Sequence, residues 1–158
     1  MAMVPFYSRS HLRNLAIQET RSATVHGWPD LPDGEYGFFE FYCDEPGCNC
    51  QRVLIQVISP TTGAQVWATI NYGWESVEFY KKRGLDEELA RECQEATLDP
   101  LNPQTKYSSA LLQLFKSVLQ DQAYVERLKR HYKLFKADLG KQHRSTVRTR
   151  KRPKRSRK

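Results

Sequence analysis

Residues 35–58 read EYGFFEFYCDEPGCNCQRVLIQVI, two apolar runs on either side of a cysteine-rich turn. A strand points successive side chains to opposite faces, so the first run sorts into Tyr36, Phe38 and Tyr42 on one side and Phe39 and Phe41 on the other. A strand that is apolar on both faces belongs in the middle of a sheet or between layers. Residues 52–58 behave alike, with Val53, Ile55 and Val57 set against Leu54 and Ile58. Pro46-Gly47 between the runs is a tight-turn signal. Ser59-Pro60-Thr61-Thr62-Gly63 is a second turn cluster, and it leads into a third run over residues 65–71. There Val66, Ala68 and Ile70 alternate against Trp67 and Thr69. Links this short join antiparallel neighbours, so a three-stranded antiparallel meander is expected.

Downstream the apolar period lengthens from two to that of a helix. Ser76 can cap a short helix that Gly84 interrupts. Leu85, Leu89, Cys93 and Ala96 then fall at helical spacing on one face. Asp99-Pro100-Leu101-Asn102-Pro103 is a rigid break. From Ser108 the spacing is helical again, through Leu111, Leu112, Phe115, Val118 and Leu119. Asp121 is the expected N-cap of a last helix carrying Val125, Leu128, Tyr132, Phe135 and Leu139. Gly140 is its expected stop, since glycine takes the left-handed conformation at little cost. The chain therefore reads as α+β, with the meander packed against C-terminal helices and a cysteine knuckle at the first hairpin.

Upstream, residues 1–24 form an N-terminal helical, polar extension, with Ser10 as a candidate cap and Leu12, Leu15 and Ile17 as its apolar positions. Residues 26–34, HGWPDLPDG, are a loop. Residues 25–140 make one domain, and residues 141–158 are a basic tail. Ten of the 25 lysines and arginines and none of the 18 acids lie in that tail. The overall +7 thus divides into a body of −3 and a tail of +10. A segment so charged and so poor in apolar residues is expected to be disordered. No apolar run approaches the ~20 residues of a membrane helix, and the first residues carry no charged segment leading into an apolar one. A cytoplasmic protein with no membrane partner is expected.

Cysteines in such a chain serve as free thiols or metal ligands more often than as disulfides. Cys43, Cys48 and Cys50 stand on a turn that folds the last two back towards the first, and convergent thiolates suit a soft tetrahedral ion such as zinc. Gly47 and Asn49 are suited to positive-φ positions. Candidates for a fourth ligand are Cys93, His26, Asp44 and Glu45, with Cys93 on an apolar helix face and His26 in a loop. Two other readings stay open: three inert thiols, or a redox site in which Cys48 and Cys50 pair with each other or with Cys43.

The strings GEYGFFEFYCDEPGCNCQRVLIQV, NYGWES, LDPLNPQTKYSSALLQLF and YVERLKRHYKLFK resemble a bacterial domain-of-unknown-function family with an E-F-Y-C-x4-C-x-C knuckle, over roughly residues 25–136. The resemblance implies that the knuckle, the proline break and the last helix belong to one domain, and it implies no activity. The Cys-Asn-Cys element is distantly similar to the SEC-C metal-binding motif, whose closing Cys-Cys or Cys-His pair has no counterpart here.

Within the tail, Arg148, Arg150, Lys151, Arg152, Lys154, Arg155, Arg157 and Lys158 form a cluster fit to neutralise phosphates of RNA or DNA, with salt-sensitive affinity. A solubility role or an acidic partner are the alternatives. The last helix is also rich in cations, from Arg127, Lys129 and Arg130 through His131, Lys133 and Lys136. Their simplest reading is a solvated face. Trp67, Tyr72 and Trp74 can line a cleft or stack on bases, although core packing is the commoner use. No G-x-S-x-G, P-loop, G-x-G-x-x-G or H-E-x-x-H is present. Glu40, on an aromatic strand face, is expected to pair with Arg52 across the hairpin. The reading is a zinc-binding interaction module with a nucleic-acid-binding tail. The alternative is a metal-dependent or thiol-redox enzyme or regulator using the three cysteines, with Glu40 or Glu45 as base.

Overall fold

A computed structural model of the chain describes residues 2–59 and 63–150. In chain order its elements are β1 (Met3–Pro5), α1 (Arg13–Glu19), β2 (Ser22–Val25), β3 (Gly34–Cys43), β4 (Arg52–Ile58) and β5 (Val66–Gly73). These are followed by α2 (Val77–Lys81), α3 (Glu87–Gln94), β6 (Thr97–Leu98), α4 (Ser108–Val118) and α5 (Gln122–Arg150). The fold is α+β, and the expected meander of β3, β4 and β5 is its centre. Its register runs Gly37↔Ile58 to Phe41↔Leu54, then Arg52↔Gly73 to Ile58↔Val66.

The sheet is wider than the meander. β1 and β2 both pair antiparallel with the free edge of β3, β1 along its end and β2 along its start. β6 pairs with β5 on the far side. These added strands are two to four residues long, too short to leave a period in the sequence. Residues 1–24 were expected as an extension. Their described part is helical at α1, and it also supplies the two strands that make β3 central. Ser10 does not cap that helix, which starts after Leu12 with no side-chain cap.

One face of the sheet meets α4 and α5. Tyr36, Phe38 and Tyr42 of β3, Ile55 and Val57 of β4, and Ile70 of β5 are buried with Leu111 and Phe115 of α4 and Leu128, Tyr132 and Phe135 of α5. Ring contacts tie the layers: Phe38 to Phe115 at 5.6 Å, Tyr42 to Phe135 at 5.6 Å and Tyr72 to Phe115 at 6.1 Å. Each such side chain contributes about 1.5–3 kcal/mol by leaving water. α2 and α3 form a smaller cluster around Tyr80, Ala90 and Cys93. Ser76 caps α2, Asp86 caps α3, and Gly84 turns between them with φ 91°. Leu89, expected on the apolar face, is exposed, and Ala90 is buried instead.

The last helix differs from expectation at its end. Asp121 does cap it, accepting from the Ala123 N–H at 3.1 Å. Gly140 does not stop it, and the helix continues to Arg150 with residues 141–150 exposed all round. A glycine inside a helix costs only about 1 kcal/mol against alanine, and the next proline in the sequence is Pro153. The part of the tail expected to be disordered that spans residues 151–158 lies outside the described residues. Among the described residues no helix is long and apolar enough to cross a membrane.

Candidate metal centre

Cys43 is the last residue of β3 and is buried, while Cys48 and Cys50 stand half-buried in the loop to β4. The loop reverses through Glu45-Pro46-Gly47-Cys48, closed by a hydrogen bond from the Cys48 N–H to the Glu45 carbonyl at 3.2 Å. Proline at the second position and glycine with φ 79° at the third is the type II pattern. The other left-handed residue is Gln51, with φ 51°, and not Asn49 as the sequence suggested. A side chain with a Cβ in that region costs on the order of 1–3 kcal/mol and persists only where its surroundings hold it.

They do hold it here. The Tyr132 hydroxyl accepts from the Gln51 N–H at 3.2 Å, and the Tyr80 hydroxyl donates to its carbonyl at 2.9 Å. The Trp74 indole N–H donates to its side-chain oxygen at 2.9 Å, and its side-chain NH2 donates to Asn49. Lys136 donates to the carbonyls of Cys43 at 2.7 Å and Glu45 at 3.2 Å. Tyr132 donates to the Cys48 carbonyl at 3.3 Å, with the Cys50 sulfur 3.9 Å from the same hydroxyl. The knuckle is thus clamped by α5 on one side and by the segment from Trp74 into α2 on the other. Burial pushes the Tyr80 phenol up to about 12, and it raises Tyr132 as well, so both remain protonated donors. The aromatic residues of β5 and the turn after it accordingly serve packing: Trp74 stands edge-on to Tyr132 at 5.4 Å and Trp67 stacks on Tyr107 at 4.5 Å.

The result is that the sulfurs of Cys43, Cys48 and Cys50 all lie within 4.8 Å of one another. Zinc held at ~2.3 Å by each sulfur sets tetrahedral sulfurs about 3.8 Å apart, so side-chain adjustment of about an ångström or less would seat an ion. Three close cysteines can hold a metal ion, and the donor set suits a soft one. The Arg83 guanidinium lies 3.8 Å from the Cys48 sulfur, on the exposed side of the cluster.

No fourth residue joins the group among the described residues. Cys93 is buried beside Tyr80 and Ala90, and that burial raises its pKa and keeps it a thiol. His26 is exposed and pairs with Asp33 at 3.0 Å. Asp44 accepts from the Ala2 N–H at 2.8 Å, and Glu45 contributes carbonyl contacts to the turn.

Glu40 does not pair with Arg52. It is buried on the core side of β3, opposite Ile55, and one carboxylate oxygen meets His131 Nδ1 at 2.7 Å and accepts from the Tyr42 hydroxyl at 2.5 Å. Its other oxygen has no hydrogen-bond partner. His131 Nε2 meets Glu19 at 2.9 Å, Glu19 accepts from Arg130 at 2.6 Å, and Phe6 stacks on the imidazole at 4.5 Å. His131 therefore sits in the core rather than on a solvated basic face. The signal was present in the sequence: Tyr124, Leu128, His131 and Phe135 fall on one helical stripe, and a glutamate on an aromatic strand face needs a partner. Arg127 and Arg130 bond to Glu19, and Lys129 to Glu126. Most of the cations on this part of the helix are thus engaged within the fold.

Arg148 and Arg150 lie exposed in the last turns of α5, far along the chain from the knuckle. Lys151, Arg152, Lys154, Arg155, Arg157 and Lys158 lie outside the described residues. The chain matches no family model, no curated protein and no solved structure.

Proposed function

We propose that Cys43, Cys48 and Cys50 hold a zinc ion in a structural role, in a binding module whose basic C-terminal arm contacts nucleic acid. The observation that carries this reading is the convergence of the three sulfurs to within 4.8 Å on a loop clamped from two sides. Zinc there would cross-link the end of β3 to the start of β4. The arm's part of the reading rests on charge: ten cations and no acid over residues 141–158, on a body of −3. Elemental mass spectrometry on the purified chain and on Cys48→Ser tests the metal. About one zinc per chain, lost in the variant together with thermal stability, supports the knuckle. Absence of any bound metal, with Cys43, Cys48 and Cys50 all titrating freely, refutes it.

The count of three protein donors favours a second reading, since zinc centres with three protein ligands keep a position for water or substrate. Glu45 is better placed than Glu40 as a base, because Glu40 is committed to His131 and Tyr42. Replacing the metal by cobalt distinguishes the two. A visible spectrum that shifts when a small anion is added means an open position, and one that does not shift means a closed, structural site.

A further inference from the structure

The segment after Gly140 was expected to be a disordered polycation, and through Arg150 it is a helix continuous with the core helix. Its ten residues make a rod about 15 Å long, exposed along its length, with His11 and Leu12 beside its first turn at Lys141, Gln142 and Ser145. At about 100° per residue, Lys141, Arg144 and Arg148 share one side. His143 and Arg150 lie on the opposite side. Between these two edges runs a strip of short polar side chains, Ser145, Thr146 and Thr149, with Gln142. Thr146 and Thr149 donate back to the carbonyls of Gln142 and Ser145, which leaves their oxygen lone pairs outward. The acid nearest to the rod on this helix, Asp138, is paired with Arg9 at 2.5 Å and does not offset the cations.

We propose that residues 141–150 enter the major groove of B-form DNA as a rigid helix, with Lys141, Arg144 and Arg148 on one edge and Arg150 on the other meeting the two phosphate backbones and the polar strip facing the bases. This rests on the nucleic-acid reading of the arm and adds to it the form of the nucleic acid and the conformation that binds. A helix with its side chains is about 10–12 Å across, and the B-DNA major groove is about 12 Å wide. The major groove of A-form RNA is deep and narrow and does not admit it. Phosphate contacts supply the affinity and set the register, whereas the strip of Gln, Ser and Thr supplies donors and acceptors for base edges. Because α5 is anchored by Tyr132, Phe135 and Leu139 in the core, the rod is held at a fixed angle to the body.

The test separates helix from charge. Val147 lies on the side away from the polar strip and carries no charge, so Val147→Pro keeps every cation and the whole strip but breaks the rod, and Val147→Ala keeps all three. Fluorescence anisotropy with the full chain would use a DNA duplex of about two helical turns, its single strand and the matching RNA duplex, with circular dichroism to follow the rod. The wild-type chain is expected to favour the DNA duplex, Val147→Pro to lose about tenfold or more of that affinity while retaining single-strand binding, and Val147→Ala to change neither. Equal duplex affinity for Val147→Pro and wild type, or tighter binding of the RNA duplex, overturns groove entry and leaves the charged-arm reading intact. A wild-type chain that binds none of the three probes overturns both.

Discussion

Gly73 and Gln51 carry constraints disproportionate to their size. A Cβ on Gly73 would run into the Cys93 carbonyl and the Tyr80 hydroxyl. Tyr80 is one of the groups holding Gln51, so the clash would propagate into the cysteine loop. Gly73→Ala is expected to destabilise the chain by about 1–3 kcal/mol in urea unfolding and to weaken metal retention in the same protein. Tyr132→Phe tests the clamp more gently. It deletes one hydroxyl that accepts from Gln51 and donates to Cys48 and leaves the ring packed. The expected cost is about 1–3 kcal/mol, from a buried N–H left without a partner, and roughly 10–100-fold in metal affinity by competition with a chelator.

At the level of the elements, the junction between β3 and α5 is polar where the rest of the layer is apolar. Burial by itself would lower the His131 pKa, but the bonds to Glu40 and then Glu19 outweigh it and raise the value above 6.5. A raised folded-state pKa contributes stability that is complete below the unfolded value and is lost as pH rises through the folded one. Stability is therefore expected to fall as pH rises above about 6.5, and thermal melting across that range measures it. Glu19 acts in the opposite sense at low pH. Its carboxyl is held below 4.5 by His131 and then Arg130, so its contribution disappears on acidification. His131→Leu leaves Glu40 buried without its partner and is expected to cost about 3–5 kcal/mol. The double change Glu40→Leu with His131→Leu is expected to cost less than the single one, because no buried carboxyl is then left without its histidine. A double variant worse than His131→Leu alone would mean that the network stabilises the fold in its own right.

For the molecule as a whole, the charge asymmetry and the architecture point the same way. Among the described residues, a body with six antiparallel strands and two long helices carries a helical rod to which no core residue beyond Leu139 belongs. Truncation after Gly140 is expected to leave the melting temperature unchanged. On the nucleic-acid reading proposed for the arm, it should also abolish binding to DNA and RNA. Shorter truncations should lower the slope of log affinity against log salt by about 0.9 for each duplex phosphate that is no longer neutralised. Retention of binding with an unchanged slope would assign the polyanion surface to the body instead.

How much of this was legible in the sequence depends on whether a signal was local. The meander, the caps at Ser76 and Asp121, the turn at Pro46-Gly47 and the grouping of three cysteines all follow from periods and turn chemistry within a few residues. Strands β1, β2 and β6 were not legible, because a strand of two to four residues exists only through the partner it finds. The partner of Glu40 lies 91 residues away, and the local choice, Arg52, faces the other side of the sheet. The left-handed residue proved to be Gln51 because Trp74 and Tyr80 from one stretch of the chain and Tyr132 from another, both distant in sequence, converge on it. Strand periods, the donor set of the knuckle and the charge of the arm are properties of neighbouring residues, and the chain of letters was enough to establish them. Which groups clamp the knuckle, which histidine enters the core and how far the helix runs past Gly140 were settled in three dimensions. Each of those depends on free energy gained between residues remote in sequence, or on the absence of any contact that would end a helix.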